Sequence, residues 1–370
     1  MNHRTSGISR RSFIKRGFSS FAVANSPGVF NLPGLLSDSR ISSTPLVDRG
    51  FAYVRKIGAG VYATLSDPSK GAQTTCNGGF LVGRDAAFLI EGFNSPAGAS
   101  FQFDALRLST KVPVRAALDT HFHYDHSMGN HYYVEHNIPL WAHVDTANRI
   151  IETYGPMQTR SREEILAPYE KRVTDAKTEL ARTHAQTDLI AVSEILSSAR
   201  ASKLGLPTRP IDPKDLPLTI DLGHITAILE YYPGHSGTDI IVRVPDQNIV
   251  FTGDLLFQGK YPVTFDSKAS ISAWRRTLSH FALFDKDTIF VPGHGQLCGL
   301  EAIATTLDIF DDITEQAHRL FRAGTPLEDA KDLYVMPDRF KRYPIWSWGF
   351  VIGSAIELLY AEWNAEAPSA

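Results

Sequence analysis

Thr120-His121-Phe122-His123-Tyr124-Asp125-His126 packs three imidazoles and a carboxylate into six residues. Isolated histidines are usually satisfied core or surface groups. Three at this spacing, beside an Asp able to serve a second ion, make the donor set that borderline divalent metals prefer. The competing reading is a polar loop with chance histidines, and the downstream sequence weighs against it.

Three further ligand candidates each follow an apolar, strand-like run. Ala227 to Tyr232 leads into Pro233-Gly234-His235-Ser236-Gly237, Asn248 to Phe251 into Thr252-Gly253-Asp254, and Thr288 to Val291 into Pro292-Gly293-His294-Gly295. Glycines beside the polar residues allow tight turns that aim a side chain outward from a strand end. The expectation is four ligand-bearing turns along one rim of a sheet.

With these residues in place, the chain resembles the metallo-β-lactamase-fold hydrolase superfamily, from about Phe51 to about Leu297. Asn77-Gly78-Gly79-Phe80-Leu81-Val82-Gly83 and Phe88-Leu89-Ile90-Glu91-Gly92 belong to the same resemblance. It implies an α/β fold, a four-layer αβ/βα sandwich with metals at the seam of two sheets. His121, His123 and His235 would hold one metal, and Asp125, His126 and His294 the other, with Asp254 bridging both. Glu91 stands where relatives often carry Asp and is read as structural.

The implied cofactor is two Zn²⁺ per chain, with iron or manganese as alternatives. Zinc held by three histidines keeps a position for water and lowers that water's pKa toward ~7. The implied activity is a zinc-dependent hydrolase, in which metal-bound hydroxide attacks an ester, lactone, thioester or amide bond of a small molecule. Asp125 would be the catalytic residue that carries the proton. Other readings are an iron-dependent oxidoreductase, a β-lactamase and a non-catalytic binding protein. Asp254 stands where β-lactamases of the family carry Cys or Ser, and Phe257 where quorum lactonases commonly place Tyr.

Around the motif, Tyr124 is expected to pack against the loop. His131 and His136 belong on a helix over Ser127 to Glu135, away from the ligands, and His143 is left out of the site. Lys260 and Tyr261 follow Asp254 closely enough to reach a substrate carboxylate or carbonyl.

The amino terminus carries a second signal. Arg4, Arg10, Arg11, Lys15 and Arg16 precede the first acidic residue, Asp38. Ser9-Arg10-Arg11-Ser12-Phe13-Ile14-Lys15 resembles the bacterial twin-arginine export signal. Gly17 to Leu36 is moderately apolar and broken by Pro27 and Pro33, which argues against a membrane span of about 20 apolar residues. Residues 1–46 are therefore read as signal and linker, with the twin-arginine translocase as a partner during export to the periplasm. A basic tail is the alternative.

The remaining 324 positions (370 minus 46) are ample for a large core, and the whole chain is 43% hydrophobic and 21% charged. A formal net charge of −3 gives no reason to expect nucleic acid. Cys76 and Cys298 are the two cysteines, so there is no disulfide framework. Short runs such as Val61 to Leu65, Gly79 to Val82, Ala87 to Glu91 and Arg115 to Asp119 read as strands. The core domain is placed at 47–300, with a helical insertion at 145–217 whose part from Ser202 to Pro217, with four prolines, reads as a returning loop. Residues 301–370 are expected to add helices to the same domain. Ile303, Leu307, Phe310, Ile313, Ala317 and Leu320 form one stripe. Thr325-Pro326-Leu327-Glu328 reads as an N-cap followed by a Pro at the first helical position and a capping-box Glu. Trp346 to Trp363, interrupted by Glu357 and Glu362, reads as a packed terminal helix.

Overall fold

The protein is described by a computed structural model covering residues 36–366, so the twin-arginine segment lies outside the described residues. Strands β1 (Val47–Asp48), β2 (Ala52–Gly58), β3 (Val61–Ser66), β4 (Gly78–Val82) and β5 (Ala87–Ile90) form an antiparallel run. Helix α1 (Pro96–Ser109) crosses to β6 (Val114–Leu118), which joins β5 in parallel. Helices α2 (Tyr124–Ser127) and α3 (Asn130–Glu135) then lead to β7 (Leu140–His143). Three helices follow, α4 (Thr146–Thr159), α5 (Arg162–Asp175) and α6 (Glu179–Ala201), and β8 (Arg209–Ile211) closes the eight-stranded sheet in the order β1 to β8.

The second sheet holds β9 (Leu218–Asp221), β10 (Thr226–Tyr231), β11 (Ile240–Val244), β12 (Ile249–Phe257) and β13 (Ile289–His294), in reverse spatial order. Only its β12–β13 pair is parallel. Helix α7 (Ile271–Phe281) supplies that crossover. Helices α8 (Leu300–Arg322), α9 (Leu327–Ala330) and α10 (Ser354–Glu366) complete the described chain.

Alternation along the strands explains the layering. In β5, Phe88 and Ile90 enter one core while Ala87 and Leu89 enter another. The first core lies between the sheets and also receives Leu229, Val242, Phe251 and Val291. The other packs β4 and β5 on α1 and α3 through Phe80, Ala105, Leu106 and Tyr133. Beyond the second sheet, Val250 and Leu255 meet Trp274, Phe281, Phe310 and Ile356 of α7, α8 and α10. A period of two sends successive residues to opposite faces, and the result is the αβ/βα sandwich. Local capping supports the helices. Ser95 accepts from Gly98 N–H ahead of Pro96 in α1, and Ser161 with Glu164 forms a reciprocal capping box at α5.

Several expected boundaries move. The presumed returning loop contains β8, which pairs in parallel with β7. Pro210 made it read as a loop, yet an edge strand tolerates proline because one side of it needs no donor. The helix expected over Ser127 to Glu135 is two short helices. At the break, a Cβ on Gly129 would stand 2.0 Å from Gly92 O, so the backbone passes where only glycine fits. Pro326 is itself the N-cap of a four-residue helix that has no side-chain cap, rather than the residue after a Thr325 cap. The apolar carboxy-terminal run begins as a π-helical turn over Gly349–Gly353 before α10. Among the described residues no helix is long and apolar enough to cross a membrane.

The helices after β7 do more than thicken the scaffold. Ile150 and Tyr154 of α4 and Ile195 and Ala199 of α6 pack on Phe122 and Met128, which flank the histidine motif. From α6, buried Asp188 accepts from Ser347 Oγ at 2.6 Å and Gly349 N–H at 2.7 Å. The Trp348 ring stacks on His184 at 3.8 Å. A Cβ on Gly349 would meet Asp188 Oδ2 at 2.3 Å, so glycine is what lets this carboxylate approach. The carboxy-terminal segment is thereby fastened over the first sheet's C-terminal rim.

Candidate metal centre

Strand β6 ends at Leu118, and the chain turns through Asp119 and Thr120 to present His121 and His123 from the loop and Asp125 and His126 from α2. His235 comes from the β10–β11 connection, and His294 is the last residue of β13. Asp254 corrects the expected pattern. It lies within β12 rather than on a turn after it, where the register against β13 slips between Phe251 and Gly253 and again before Phe257. Such irregularities re-aim side chains, here toward the seam.

All seven expected residues converge. Three groups have ligand atoms within 4.8 Å of one another: His121, His123 and His235; His121, His126 and Asp254; and Asp125, His126 and His294. His123 Nδ1 stands 3.1 Å from His121 Nε2 and 2.8 Å from His235 Nε2. Asp254 touches both halves, with Oδ2 3.5 Å from His235 Nε2 and 3.3 Å from His294 Nε2, and Oδ1 3.2 Å from His126 Nε2. His294 Nε2 is also 3.2 Å from Asp125 Oδ2.

The cluster fits a cation better than a hydrogen-bond network. His126 Nε2 and Asp254 Oδ1 are buried 3.2 Å apart, yet neither makes a well-formed hydrogen bond among the described residues. An orphaned buried polar atom is costly unless something else satisfies it. Burial and the neighbouring His126, His123 and His235 push His121 well below the usual histidine value, and burial with His123 takes His235 down to about 3. These imidazoles are therefore neutral, with lone pairs available to a metal. Burial would raise Asp254, but the surrounding His294 and His126 outweigh it and hold the carboxylate ionised.

The far side of each of the first three histidines is tethered. Thr120 Oγ1 is 3.1 Å from His121 Nδ1, Val263 O is 3.0 Å from His235 Nδ1, and Asp266 Oδ2 is 3.3 Å from His123 Nε2. Arg149 of α4 holds Asp266 at 2.7 and 2.8 Å. Burial raises the Asp266 carboxyl, but the bonds to His123 and Arg149 prevail and bring it to about 2. Glu91 lies against the cluster as well, with Oε1 3.2 Å from His126 Nδ1 and accepting from Thr120 Oγ1 at 2.6 Å. Its φ of +80° is the left-handed region, rare for a residue with a Cβ.

Asp266, Arg149 and the contact of Glu91 with His126 were missed in the sequence. Asp266 carries only a turn signal there, accepting from Lys268 N–H, and nothing local points to His123. Cys76 also abuts the motif, its thiol donating to Asp125 O at 3.0 Å, and both cysteines are free and buried. His131 pairs with Glu135 and His136 Nδ1 faces Tyr132 O, both away from the cluster. His143 stacks on Tyr231 instead.

A cavity of about 360 Å³ opens beside His123, Asp125, Asp254 and His294. Tyr124 lines it, beyond the packing role expected of it, and so do Lys260 and Tyr261. The Tyr261 hydroxyl is engaged with Tyr334 at 3.2 Å, whereas Lys260 has no ion-pair partner among the described residues, and burial pulls its pKa down. Phe257 stacks flat on His294 at 5.2 Å.

Residues 72–294 match the Metallo-beta-lactamase superfamily, a span that contains all seven clustered residues. The chain belongs to the metallo-β-lactamase superfamily. It is 33% identical over 84 residues to an uncharacterized protein of Mycobacterium tuberculosis, covering 20% of this chain and 37% of that protein. It is 33% identical over 88 residues to metallo-beta-lactamase type 2 of Bacteroides fragilis, covering 23% of this chain and 35% of that one. The matches thus span little more than a third of these relatives' length. Among solved structures, a metallo-beta-lactamase from Pontibacter korlensis superposes with a TM-score of 0.50 at 17% identity, covering 70% of this chain and 99% of that one, a likeness of fold.

Proposed function

We propose that this metallo-β-lactamase superfamily member is a binuclear metal-dependent hydrolase acting on an ester, lactone, thioester or amide bond of a small molecule. The observation that carries this reading is Asp254, whose two oxygens reach both halves of the seven-residue cluster. His121, His123 and His235 would hold one ion, and Asp125, His126 and His294 the other, zinc in both cases. When bound, the ions would supply Lewis acidity and hydroxide at neutral pH.

The chain's own groups do the rest. Asp125 lines the cavity, with its Oδ2 3.2 Å from His294 Nε2. Its carboxylate would accept the proton of the attacking water and return it to the leaving group. Lys260 lines the cavity, where Asp254 and Asp125 favour its cation against burial, and it would suit a negative group on the substrate. Asp266 holds His123 from behind, fixing its ring orientation, and Glu91 sets a carboxylate 3.2 Å from His126 Nδ1.

The test is elemental analysis of protein purified without chelator, followed by a panel of esters, lactones, thioesters and a cephalosporin. Two zinc ions per chain with turnover of one carbonyl class is the expected result. A single iron, with no second metal taken up on titration, would overturn the binuclear reading.

We further propose that Arg10 and Arg11 route the folded chain through the twin-arginine translocase to the periplasm. Changing both to lysine should leave the protein in the cytoplasmic fraction. Periplasmic recovery of the double mutant would refute the route.

A further inference from the structure

We infer that the cavity selects substrates bearing an aromatic or bulky alkyl group, and that Trp346 is the residue that sets this preference. The inference deepens the hydrolase reading and rests on it for the position of the reacting bond. Trp346 and Ile345 line the cavity from a segment some fifty residues beyond the superfamily match, which ends at residue 294. They join Tyr124 in one aromatic wall, and because Tyr124 lies between His123 and Asp125 in the chain, that wall starts at the cluster itself. Phe265 continues that wall, stacked on His123 at 4.7 Å and 25°.

Trp346 is held in place rather than merely present. Its indole N–H donates to Glu194 Oε2 at 2.8 Å, and its ring lies 6.3 Å from Tyr124 at 25° and 5.9 Å from Phe350. The neighbouring Ser347 and Gly349 are bonded to Asp188, which anchors the backbone that carries the indole. A bond hydrolysed at the cluster thus places its substituent against fixed aromatic faces. The cavity has room for one small-molecule substituent, and aromatic pairs add attraction beyond simple burial. Removal of a phenyl ring from water onto such a wall corresponds to about tenfold or more in affinity.

The experiment compares methyl phenylacetate with methyl acetate on metal-loaded protein by pH-stat, each rate normalised to alkaline hydrolysis of the same ester. Calorimetric binding of phenylacetate and acetate to the same protein gives a readout that does not need turnover. Wild type should favour the phenyl ester by about tenfold in kcat/KM. Trp346→Ala should bring the ratio to within about twofold, while Trp346→Phe, which keeps a ring, should retain most of it. Metal content is measured in every variant. Hydrolysis of both esters without a phenyl preference, or a preference that survives in Trp346→Ala, overturns the inference and leaves the hydrolase reading standing. Absence of ester hydrolysis with Trp346-dependent tighter binding of phenylacetate upholds the aromatic subsite, and the hydrolase reading then falls only if the corresponding lactone, thioester and amide are also left intact. Equal binding of the two acids without hydrolysis overturns the inference.

Discussion

The metal cluster and the aromatic wall beside it line one cavity, yet they are built by different rules. The cluster comes from the loop and short helix after β6, the β10–β11 connection, the interior of β12 and the end of β13, all inside the segment matching the superfamily. The wall takes Trp346 from beyond that segment and Glu194 from the helices between β7 and β8. Chemistry is placed where two sheets meet, on backbone that packing on both faces makes rigid. Recognition is placed on additions that can vary while the strands stay put. Asp266 and Arg149 connect the two regions, since Arg149 of α4 steadies a carboxylate that touches His123.

Asp254→Asn is the sharpest break of the comparison. Loss of the shared charge should cut turnover by about a thousandfold, because a bound metal supplies several kcal/mol of transition-state stabilisation. The second metal should be lost in titration while the far-UV circular dichroism stays that of the wild type. Full turnover and two bound metals in this variant would reduce Asp254 to a strand residue.

Asp266→Asn tests the connection between the regions. Metal affinity at the three-histidine half should fall roughly tenfold to a hundredfold, the usual cost of losing a group that orients a ligand. Its pH dependence has a definite sign. The folded pKa of about 2 lies below the ordinary 3.8, so the stabilisation is present above 3.8 and disappears as pH falls toward 2. Wild type should exceed Asp266→Asn by about 2 kcal/mol near neutral pH, with the two converging in acid. A constant gap in denaturant titrations from pH 7 to 2 would contradict this.

Asp188→Ala acts on the wall alone. It strands Ser347 Oγ and Gly349 N–H, whereas Arg172, 3.1 Å away, is exposed and stays hydrated. Stability measured by urea denaturation should drop by roughly 1–3 kcal/mol. Metal affinity should remain within about twofold. A marked loss of metal would show that the two regions are one cooperative unit.

The fold class and seven residues of the cluster were legible because both signals are local. Alternation marked β3 to β6 within a residue or so, and turn glycines marked the approaches to His235 and His294. The irregularity that carries Asp254 inside β12 was not legible, because a register slip depends on the partner strand β13. Strand β8 was hidden by its proline, and whether an edge position excuses that proline is settled only by its neighbour.

The sequence by itself supplied the candidate ligands, four of them between His121 and His126, and the resemblance to the superfamily joined these to His235, Asp254 and His294. Tertiary structure alone decided what stands behind and opposite them. Asp266 meets His123 across 143 residues, and Asp188 meets Ser347 across 159. No periodicity records such pairs, because they form only when packing of the sheets and added helices has repaid the entropy of closing so long a loop.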